Sequence, residues 1–411
     1  MKALQFNITP ARYFVAKALG AFSVRAYYGA FSPLRLREVP VPELPGDDWV
    51  KVRTRMGGIC ASDVGAIQMR HSYDSYYSAF VSMPFVLGHE NVGVICETGS
   101  SVRDFRVGDR VVVDAFLGCK QRGIDPPCEE CRKGNFGLCL NWAEGKLPPG
   151  STIGANSLTG GSWGEYFVAH ESQLFRVADS IDDEKAVLID PIACSLNTVL
   201  RRRPADGETV VVIGAGVIGL GVIACIRALG SRARVIALAK YPFQREQALR
   251  LGADLVLRPA KEDLIYKMGD LLGRKVYLSR YGFNPYFTGG VDAVYDCVGS
   301  GFSINTAMKL LRERGDYLMV GIGFPRNVNW IPIWFRELRI QGVAGRGMGA
   351  LDGGPPEPLF KLAHDLILQG RLDLRGLVTH RFPLDRYRQA FDGIFNKNET
   401  GQIKTVFYFP D

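Results

Sequence analysis

A glycine-rich turn between an apolar strand and an apolar helix limits the folds open to this chain more than any other feature. Gly214, Gly216 and Gly219 form the pattern Gly-x-Gly-x-x-Gly, preceded by a valine-rich run and followed by VIGLGVIACIRALG. In this context the glycines permit a tight turn, a close approach of pyrophosphate to the backbone, and packing of the helix on the strand. The sequence therefore predicts a dinucleotide site, with Val217 and Ile218 at the helix N-terminus beside the phosphates. An ordinary tight turn is the alternative.

The same alternation of strand and helix continues beyond this turn. ARVIALAK is followed by QREQALRLG, and VDAVYDCVG by SINTAMKLLRERG and then DYLMVGIG. Strands that alternate with helices of this length predict a doubly wound parallel sheet. Val298, Gly321 and Ile322 follow two of these strands and are predicted to line the cofactor site, with simple turn chemistry as the alternative.

The end of the second strand bears on which dinucleotide is bound. NAD-preferring folds place an acidic residue there to bind the ribose 2′-hydroxyl. Here the strand ends in Ala239, Lys240 and Tyr241, and Arg245 lies nearby. A small residue followed by cations suits a 2′-phosphate, so the sequence favours NADP over NAD. A merely solvated Lys240 is the alternative.

Four cysteines lie close together in the first half of the chain. Cys128, Cys131 and Cys139 form C-x2-C-x7-C, and Cys119 lies nine residues before Cys128. Four thiolates are a common structural zinc set, and metal binding would supply the folding energy that this loop lacks. The odd total of nine cysteines, without a signal-peptide pattern, argues against a disulfide framework and favours a cytoplasmic protein.

A second set of metal-binding side chains is dispersed through the sequence. Cys60 lies in GGICASD, His89 in GHE before a valine-rich strand, and Asp190 opens an Asp-Pro turn. A catalytic zinc ion keeps about three protein ligands and one open position. A lone histidine is more often a packed or exposed residue than a metal ligand. The interpretation of His89 as a ligand therefore depends on its occurrence together with Cys60 and the cysteine cluster.

These motifs occur in the order typical of the medium-chain zinc-dependent alcohol dehydrogenases. GGICASD, GHENVG, the cysteine cluster and VIGAGVIGLG carry the resemblance, which is closest to the polyol and threonine dehydrogenase-like branch. It implies an α/β protein with a central Rossmann domain at residues 196–338. It also implies a mostly β, GroES-like catalytic domain built from both chain ends, residues 1–195 (with the zinc lobe at 117–142) and 339–411.

The resemblance also implies roles for individual residues. Cys60, His89 and Asp190 match the catalytic zinc ligands, and Glu90 matches a glutamate that can approach the metal. The cysteine cluster matches the structural zinc site, which gives two zinc ions per chain.

Three positions near the first zinc cysteine bear on proton transfer. Ser62 matches the hydroxyl that contacts the substrate oxygen, and Asp63 matches the aspartate that orients the histidine ligand. Gly65 departs from the many relatives that have a histidine there to complete a proton relay, so the proton path is left open.

The implied function is a zinc-dependent oxidoreductase that transfers hydride between a nicotinamide cofactor and a small-molecule alcohol or carbonyl. A polyol, sugar or threonine dehydrogenase is the alternative within the family. A zinc-independent quinone or enone reductase, or a non-catalytic member, is the alternative outside it. The net charge of +8 is scattered, which does not favour nucleic-acid binding, and no membrane span is expected. The strand LRIQGV lies where relatives pair subunits, so a homodimer or homotetramer is expected.

Three segments lengthen the chain relative to this pattern. TPARYFVAKALGAFSVRAYYG is predicted to form a short apolar and basic helix that packs on its own domain, covers a subunit interface or touches a membrane surface. YLSRYGFNPYFTGG lengthens the Rossmann domain. A loop before His89 either walls the substrate site or only packs down, and its aromatic residues are Tyr73, Tyr76, Tyr77 and Phe80.

Overall fold

The computed structural model describes residues 1–70, 76–259, 263–282, 284–321, 323 and 325–410. Tyr73 and Ile322 lie outside the described residues, and Tyr76 and Tyr77 are described by their backbone alone. The chain divides into two compact units. One comprises Met1–Asp190, Arg346–Leu368 and Leu374–Asp411, and the other Pro191–Gly345 and Gln369–Asp373.

The strands are short, as expected for segments broken by glycine and proline. They are β1 (Lys2–Phe6), β2 (Leu34–Glu38), β3 (Trp49–Gly58), β4 (Phe85–Val86), β5 (Asn91–Thr98), β6 (Arg110–Val113), β7 (Tyr166–His170), β8 (Leu174–Arg176), β9 (Thr209–Ile213), β10 (Arg234–Leu238), β11 (Leu255–Leu257), β12 (Tyr277–Leu278), β13 (Pro285–Tyr286), β14 (Val291–Asp296), β15 (Leu311–Met319), β16 (Arg339–Gly342), β17 (Met348–Gly349), β18 (Glu357–Pro358), β19 (Val378–Pro383) and β20 (Lys404–Tyr408).

The α-helices connect these strands or cover their faces. They are α1 (Pro10–Gly20), α2 (Ala61–Ile67), α3 (Glu129–Arg132), α4 (Asp183–Val187), α5 (Ile189–Arg201), α6 (Val217–Ala228), α7 (Pro242–Arg250), α8 (Leu264–Leu271), α9 (Gly301–Leu310), α10 (Ile331–Phe335), α11 (Leu359–Leu368), α12 (Tyr387–Phe395) and α13 (Lys397–Thr400). None in the described part of the chain has both the length and the apolar character needed to cross a bilayer.

The second unit contains a doubly wound parallel sheet. Its strand order is β11-β10-β9-β14-β15-β16, and every pairing is parallel. The order reverses between β9 and β14, where an open α/β sheet binds its ligand. The core between sheet and helices is aliphatic, with Val211, Ile236, Val294 and Met308 fully buried. This confirms the predicted fold of the segment that follows the glycine turn.

The first unit is mostly β and draws on both ends of the chain. Its main sheet has the order β19-β20-β3-β5-β6-β8, with β7 pairing to β3. The C-terminal strand β20 pairs antiparallel with β3, so the last residues of the chain complete a sheet that β3 begins. This pairing brings Lys404 to the strand that leads into Cys60.

The secondary structure differs from the sequence-based prediction in one segment and adds detail in another. Residues 311–315, predicted within a helix, lie in β15, because Leu311 pairs with Val291 of the neighbouring strand β14. The insertion after residue 276 contributes an antiparallel pair, β12 with β13. The N-terminal extension forms α1, as predicted.

Candidate metal centre and cofactor turn

The four-cysteine lobe is assembled as a single cluster. The sulfur atoms of Cys119, Cys128, Cys131 and Cys139 lie within 4.8 Å of one another. None of the nine cysteines is in a disulfide bond. Backbone N–H groups donate to the sulfurs, from Cys128 to Cys119 at 3.3 Å and from Cys119 to Cys131 at 3.5 Å. A hydrogen bond from Cys131 lowers the pKa of the Cys139 thiol to about 5. Four sulfurs at this spacing suit a tetrahedral zinc ion.

Arg122 supports this lobe and was not anticipated from the sequence. Its side chain is fully buried. It donates to the carbonyl oxygens of Leu117 at 3.1 Å, Glu144 at 2.9 Å and Leu147 at 3.1 Å. A guanidinium has five N–H donors, so one arginine can satisfy several loop carbonyls that no secondary structure pairs.

The second cluster contains Cys60, His89 and Glu90, whose ligand atoms also lie within 4.8 Å of one another. Cys60 precedes α2, where its backbone N–H donates to Asp63 Oδ2 at 3.0 Å. The other oxygen of Asp63 lies 3.2 Å from Nδ1 of His89. Because Nδ1 is engaged by the aspartate, Nε2 is left for a metal, which is the usual support of a histidine ligand. Sulfur, imidazole and carboxylate together form a zinc-type donor set.

A buried lysine holds the carboxylate of this cluster. Lys404 forms an ion pair with Glu90, and both side chains are almost fully buried. Lys404 Nζ also donates to the carbonyl of Ile59 at 3.1 Å. Burial lowers the pKa of Lys404, but the charges of Glu90, Cys60 and Asp190 and the hydrogen bond to Glu90 together raise it overall. A Cβ atom at Gly58 would lie 2.0 Å from Glu90 Oε2, which explains why residue 58, two residues before Cys60, is a glycine.

Asp190 lies apart from this set of three and pairs with Arg346. Both side chains are 6 % exposed. Burial raises the pKa of Asp190 to about 6, against the lowering effects of Arg346 and His89. The charge of His89 therefore acts on Asp190, although the closest partner of Asp190 is Arg346. Arg346 also stacks over the Phe116 ring at 4.8 Å and was not singled out in the sequence.

Ser62 and Gly65 lie on α2, which follows Cys60. Ser62 is exposed, whereas Gly65 is buried, and a Cβ atom at residue 65 would meet only Arg70, at 4.0 Å. Phe80, from the aromatic loop, packs edge-on against Trp142 with ring centroids 5.6 Å apart.

The glycine turn in the second unit has the shape of a phosphate-binding turn. Gly214 has a φ of 89°, and a Cβ atom at Gly219 would lie 1.8 Å from its carbonyl oxygen. Gly216 precedes α6, whose first residues are Val217 and Ile218. No side chain caps this helix, and a Cβ atom on Gly216 would meet nothing within 4 Å. Open space above uncapped N–H groups fits an anionic pyrophosphate.

Asp296, at the end of β14, organises the neighbouring turn. Its Oδ1 accepts from the backbone N–H groups of Val298 at 2.9 Å and Gly299 at 3.0 Å, and its Oδ2 accepts from the Tyr317 hydroxyl at 2.9 Å. Gly321 approaches so closely that a Cβ atom there would lie 2.4 Å from the Val298 carbonyl carbon. Asp296 was not among the predicted residues; its place at the end of a buried strand was the signal.

The predicted cations lie beyond the end of β10. Lys240 is exposed, and its Nζ lies 5.2 Å from the centre of the Tyr241 ring. Arg245 is half-buried on α7. The three residues that follow β10 are Ala239, Lys240 and Tyr241, so none of them can offer a carboxylate to a ribose 2′-hydroxyl.

Comparisons with known proteins agree with this architecture. Residues 46–179 match the family described as Alcohol dehydrogenase GroES-like domain, and residues 217–353 match Zinc-binding dehydrogenase. The L-threonine 3-dehydrogenase of Anaeromyxobacter sp. (strain K) is 30% identical over 367 residues, 89% of this chain and 93% of the relative.

Two solved structures are also similar. One is a zinc-binding dehydrogenase from Sinorhizobium meliloti 1021 bound to NADP, with 26% identity, a TM-score of 0.70, and 92% of this chain and 96% of that chain covered. The other is the alcohol dehydrogenase of the archaeon Aeropyrum pernix, with 22% identity, a TM-score of 0.74 and full coverage of both chains.

A mostly β unit with two clusters of metal-binding side chains, together with a unit that contains a doubly wound parallel sheet, defines a metal-dependent dehydrogenase. This chain belongs to the medium-chain zinc-dependent alcohol dehydrogenase family. It is an oxidoreductase that uses zinc and a nicotinamide cofactor to transfer hydride to or from a small alcohol or carbonyl compound.

Proposed function

We propose that Cys60, His89 and Glu90 form the catalytic zinc site of an alcohol dehydrogenase acting on secondary alcohols that carry a neighbouring polar group. The observation that carries this proposal is the approach of their sulfur, nitrogen and oxygen atoms to within 4.8 Å of one another. When bound, zinc would supply the Lewis acidity that lowers the pKa of a hydroxyl group, and the nicotinamide would supply the hydride acceptor.

The chain's own residues orient the donors and move the proton. Asp63 fixes the His89 ring through Nδ1, and Lys404 balances the charge of Glu90. Ser62 accepts the substrate proton and releases it to water, since its side chain is exposed and Gly65 offers no relay group. The path is thus shorter than one that runs through a histidine.

Asp190 is proposed as a further ligand, supported by the effect of His89 on its pKa. Asp190→Asn and Glu90→Gln are expected to lose the catalytic zinc while the cysteine lobe keeps its own ion. Zinc per chain and kcat are the measurements. If Asp190→Asn retained both zinc ions and full kcat, Asp190 would not be a zinc ligand, and its role would be the ion pair with Arg346 alone.

We propose NADP as the preferred cofactor and two zinc ions per chain. Support comes from Lys240 and Arg245 beyond β10, and from the Sinorhizobium meliloti dehydrogenase, whose structure holds NADP. Lys240→Glu is expected to lower kcat/KM for NADP and raise it for NAD. Lys275→Glu, at an exposed lysine beside Tyr277, is the control. A wild-type preference for NAD would refute the assignment.

The substrate class rests on the threonine dehydrogenase relative, since L-threonine carries an amine beside its secondary hydroxyl. A panel of L-threonine, vicinal diols, sugar alcohols and simple primary alcohols, read as nicotinamide absorbance with both cofactors, tests it. Activity is expected with the first three groups. Activity that survived complete zinc removal would favour a zinc-independent reductase instead.

We also propose that residues 1–195 and 339–411 act as one catalytic domain around residues 196–338, and that the chain forms a homodimer or homotetramer. The exposed edge strand β16, in which every residue from Arg339 to Gly342 is exposed, supports the assembly.

A further inference from the structure

The N-terminal helix α1 turns an apolar face to solvent. Phe14 is 69 % exposed, Val15 49 % and Leu19 44 %, and Phe22, directly after the helix, is 91 % exposed. These positions recur at the spacing of one helical face. We call the four residues the outer face of α1. A helix normally exposes its polar side, so this arrangement is inverted.

The opposite side of α1 is anchored to the first unit, so the outer face is presented on a fixed support. Ala16 is buried and Tyr13 packs against an aromatic core cluster that includes Tyr28 and Phe391. Arg25, in the turn after the helix, forms an ion pair with Asp392 at 2.8 Å. The inner side of α1 therefore packs on the first unit, and the outer face has no comparable packing among the described residues.

The N-terminal segment that carries the outer face is basic in sequence, and one of its cations, Arg25, is paired with Asp392. The first 37 residues contain six basic residues and no acidic one, the first being Glu38; the six are Lys2, Arg12, Lys17, Arg25, Arg35 and Arg37. Burial and the nearby charge of Arg70 lower the pKa of Lys17. Because Lys17 is part of α1, Arg70 is a further cation beside this helix. A second copy of this surface would be repelled by its like charge, whereas an anionic surface would be attracted.

We propose that the outer face of α1 docks the enzyme on anionic membrane surfaces. An amphipathic helix with phenylalanine and leucine on one face and Lys or Arg beside it lies in the plane of the interface and binds in proportion to its apolar area and charge. With eleven residues, α1 is too short to span a bilayer and suits a position along the surface. This inference is independent of the substrate and cofactor assignments above.

Sedimentation of the full-length chain with vesicles of phosphatidylcholine and phosphatidylserine tests the proposal. Binding is expected to these vesicles, to weaken as salt is raised, and to be absent with phosphatidylcholine alone. The triple variant Phe14→Ser, Leu19→Ser, Phe22→Ser is expected to bind about tenfold or more weakly, because these side chains supply the inserted apolar area. Arg12→Gln and Arg70→Gln are each expected to weaken binding about fivefold.

A matched control uses another exposed aromatic segment, in the second unit. Tyr277, Leu278 and Tyr281 are 53 %, 61 % and 92 % exposed and lie among basic residues. Replacing all three with serine is expected to leave vesicle binding unchanged; an equal loss would show unspecific adhesion. Circular dichroism and dehydrogenase activity must match wild type for each variant.

Two results would overturn the proposal. One is the absence of binding to the anionic vesicles by a folded, active chain. The other is a change in oligomeric state of the triple variant, measured by sedimentation velocity, with vesicle binding unchanged. That second outcome would assign the outer face to a contact between copies.

Discussion

Two buried ion pairs hold the carboxylates near the candidate catalytic zinc site. Glu90 is paired with Lys404, and Asp190 with Arg346. Each pair joins segments far apart in sequence, by 314 and 156 residues. Two charges taken from water are tolerated only when they neutralise each other, and removal of one partner leaves the other unpaired. Each cation therefore balances the charge that its carboxylate carries when ionised, which is the form that binds metal.

Replacing Lys404 with Met tests this role at a single residue. The change leaves Glu90 buried without its counter-charge, so the free energy of unfolding is expected to fall by about 3–5 kcal/mol. Denaturant unfolding in the presence of a chelator measures it without a contribution from zinc. The double variant Lys404→Met, Glu90→Gln is expected to regain most of the stability and none of the catalytic zinc. Equal losses in single and double variants would contradict the ion-pair account.

At the scale of the element, the cysteine lobe and the glycine turn are local constructions. Their donors and turns are set by neighbouring residues, so spacing in the sequence was enough to predict them. The lobe gathers all four predicted cysteines, and Gly216 stands where α6 begins. Arg122 adds what spacing does not show, a buried guanidinium that binds several loop carbonyls.

Cys131→Ser is expected to remove one zinc ion per chain and to lower Tm. Leu138 and Leu140 of the lobe are 49 % and 64 % exposed, so a bound metal would supply folding free energy that apolar packing does not. Zinc analysis and a thermal scan provide the two readings. Cys96→Ser, at an exposed cysteine outside both clusters, is the control and should change neither. Unchanged zinc content in Cys131→Ser would show that the lobe binds no metal.

Gly216→Ala separates cofactor binding from folding in the glycine turn. A Cβ atom at residue 216 meets nothing within 4 Å, so Tm is expected to stay near that of wild type. The methyl group would occupy the space of the pyrophosphate, so Kd for the cofactor is expected to rise about tenfold or more. Gly342→Ala, also in open space, is the control. Unchanged cofactor affinity would remove Gly216 from the site.

The parallel sheet follows from the alternation of strand and helix along the chain. Cys60 and His89 are distant in sequence and were predicted as ligands from motifs that resemble those of a known family, and the structure places their side chains together. Lys404 and Arg346 were missed because their partners are distant in sequence and no such motif marks them. A single lysine in the apolar strand IKTVFYF was the only visible signal. For Asp190 the sequence predicted a ligand, and its nearest partner is an arginine.

At the scale of the whole molecule, the sheet edge at β16 and the apolar helix α10 that precedes it bear on the proposed assembly. β16 pairs with β15 on one side only, and its four residues are all exposed. Just before it, α10 leaves Trp334 78 % and Phe335 71 % exposed. An exposed edge strand beside apolar side chains favours pairing with another chain. We therefore propose this surface of the second unit as the subunit contact.

The double variant Trp334→Ser, Ile340→Lys tests that surface. Serine removes a large apolar side chain, and lysine on an edge strand opposes strand pairing, so the assembly is expected to dissociate to chains of 45.3 kDa. Sedimentation velocity measures the mass, and Tyr277→Ser, at another exposed aromatic residue, should leave it unchanged. Because both substitutions lie on exposed side chains, each chain should stay folded by circular dichroism. A variant that kept the wild-type mass would place the subunit contact on another surface and leave the β16 edge open to solvent.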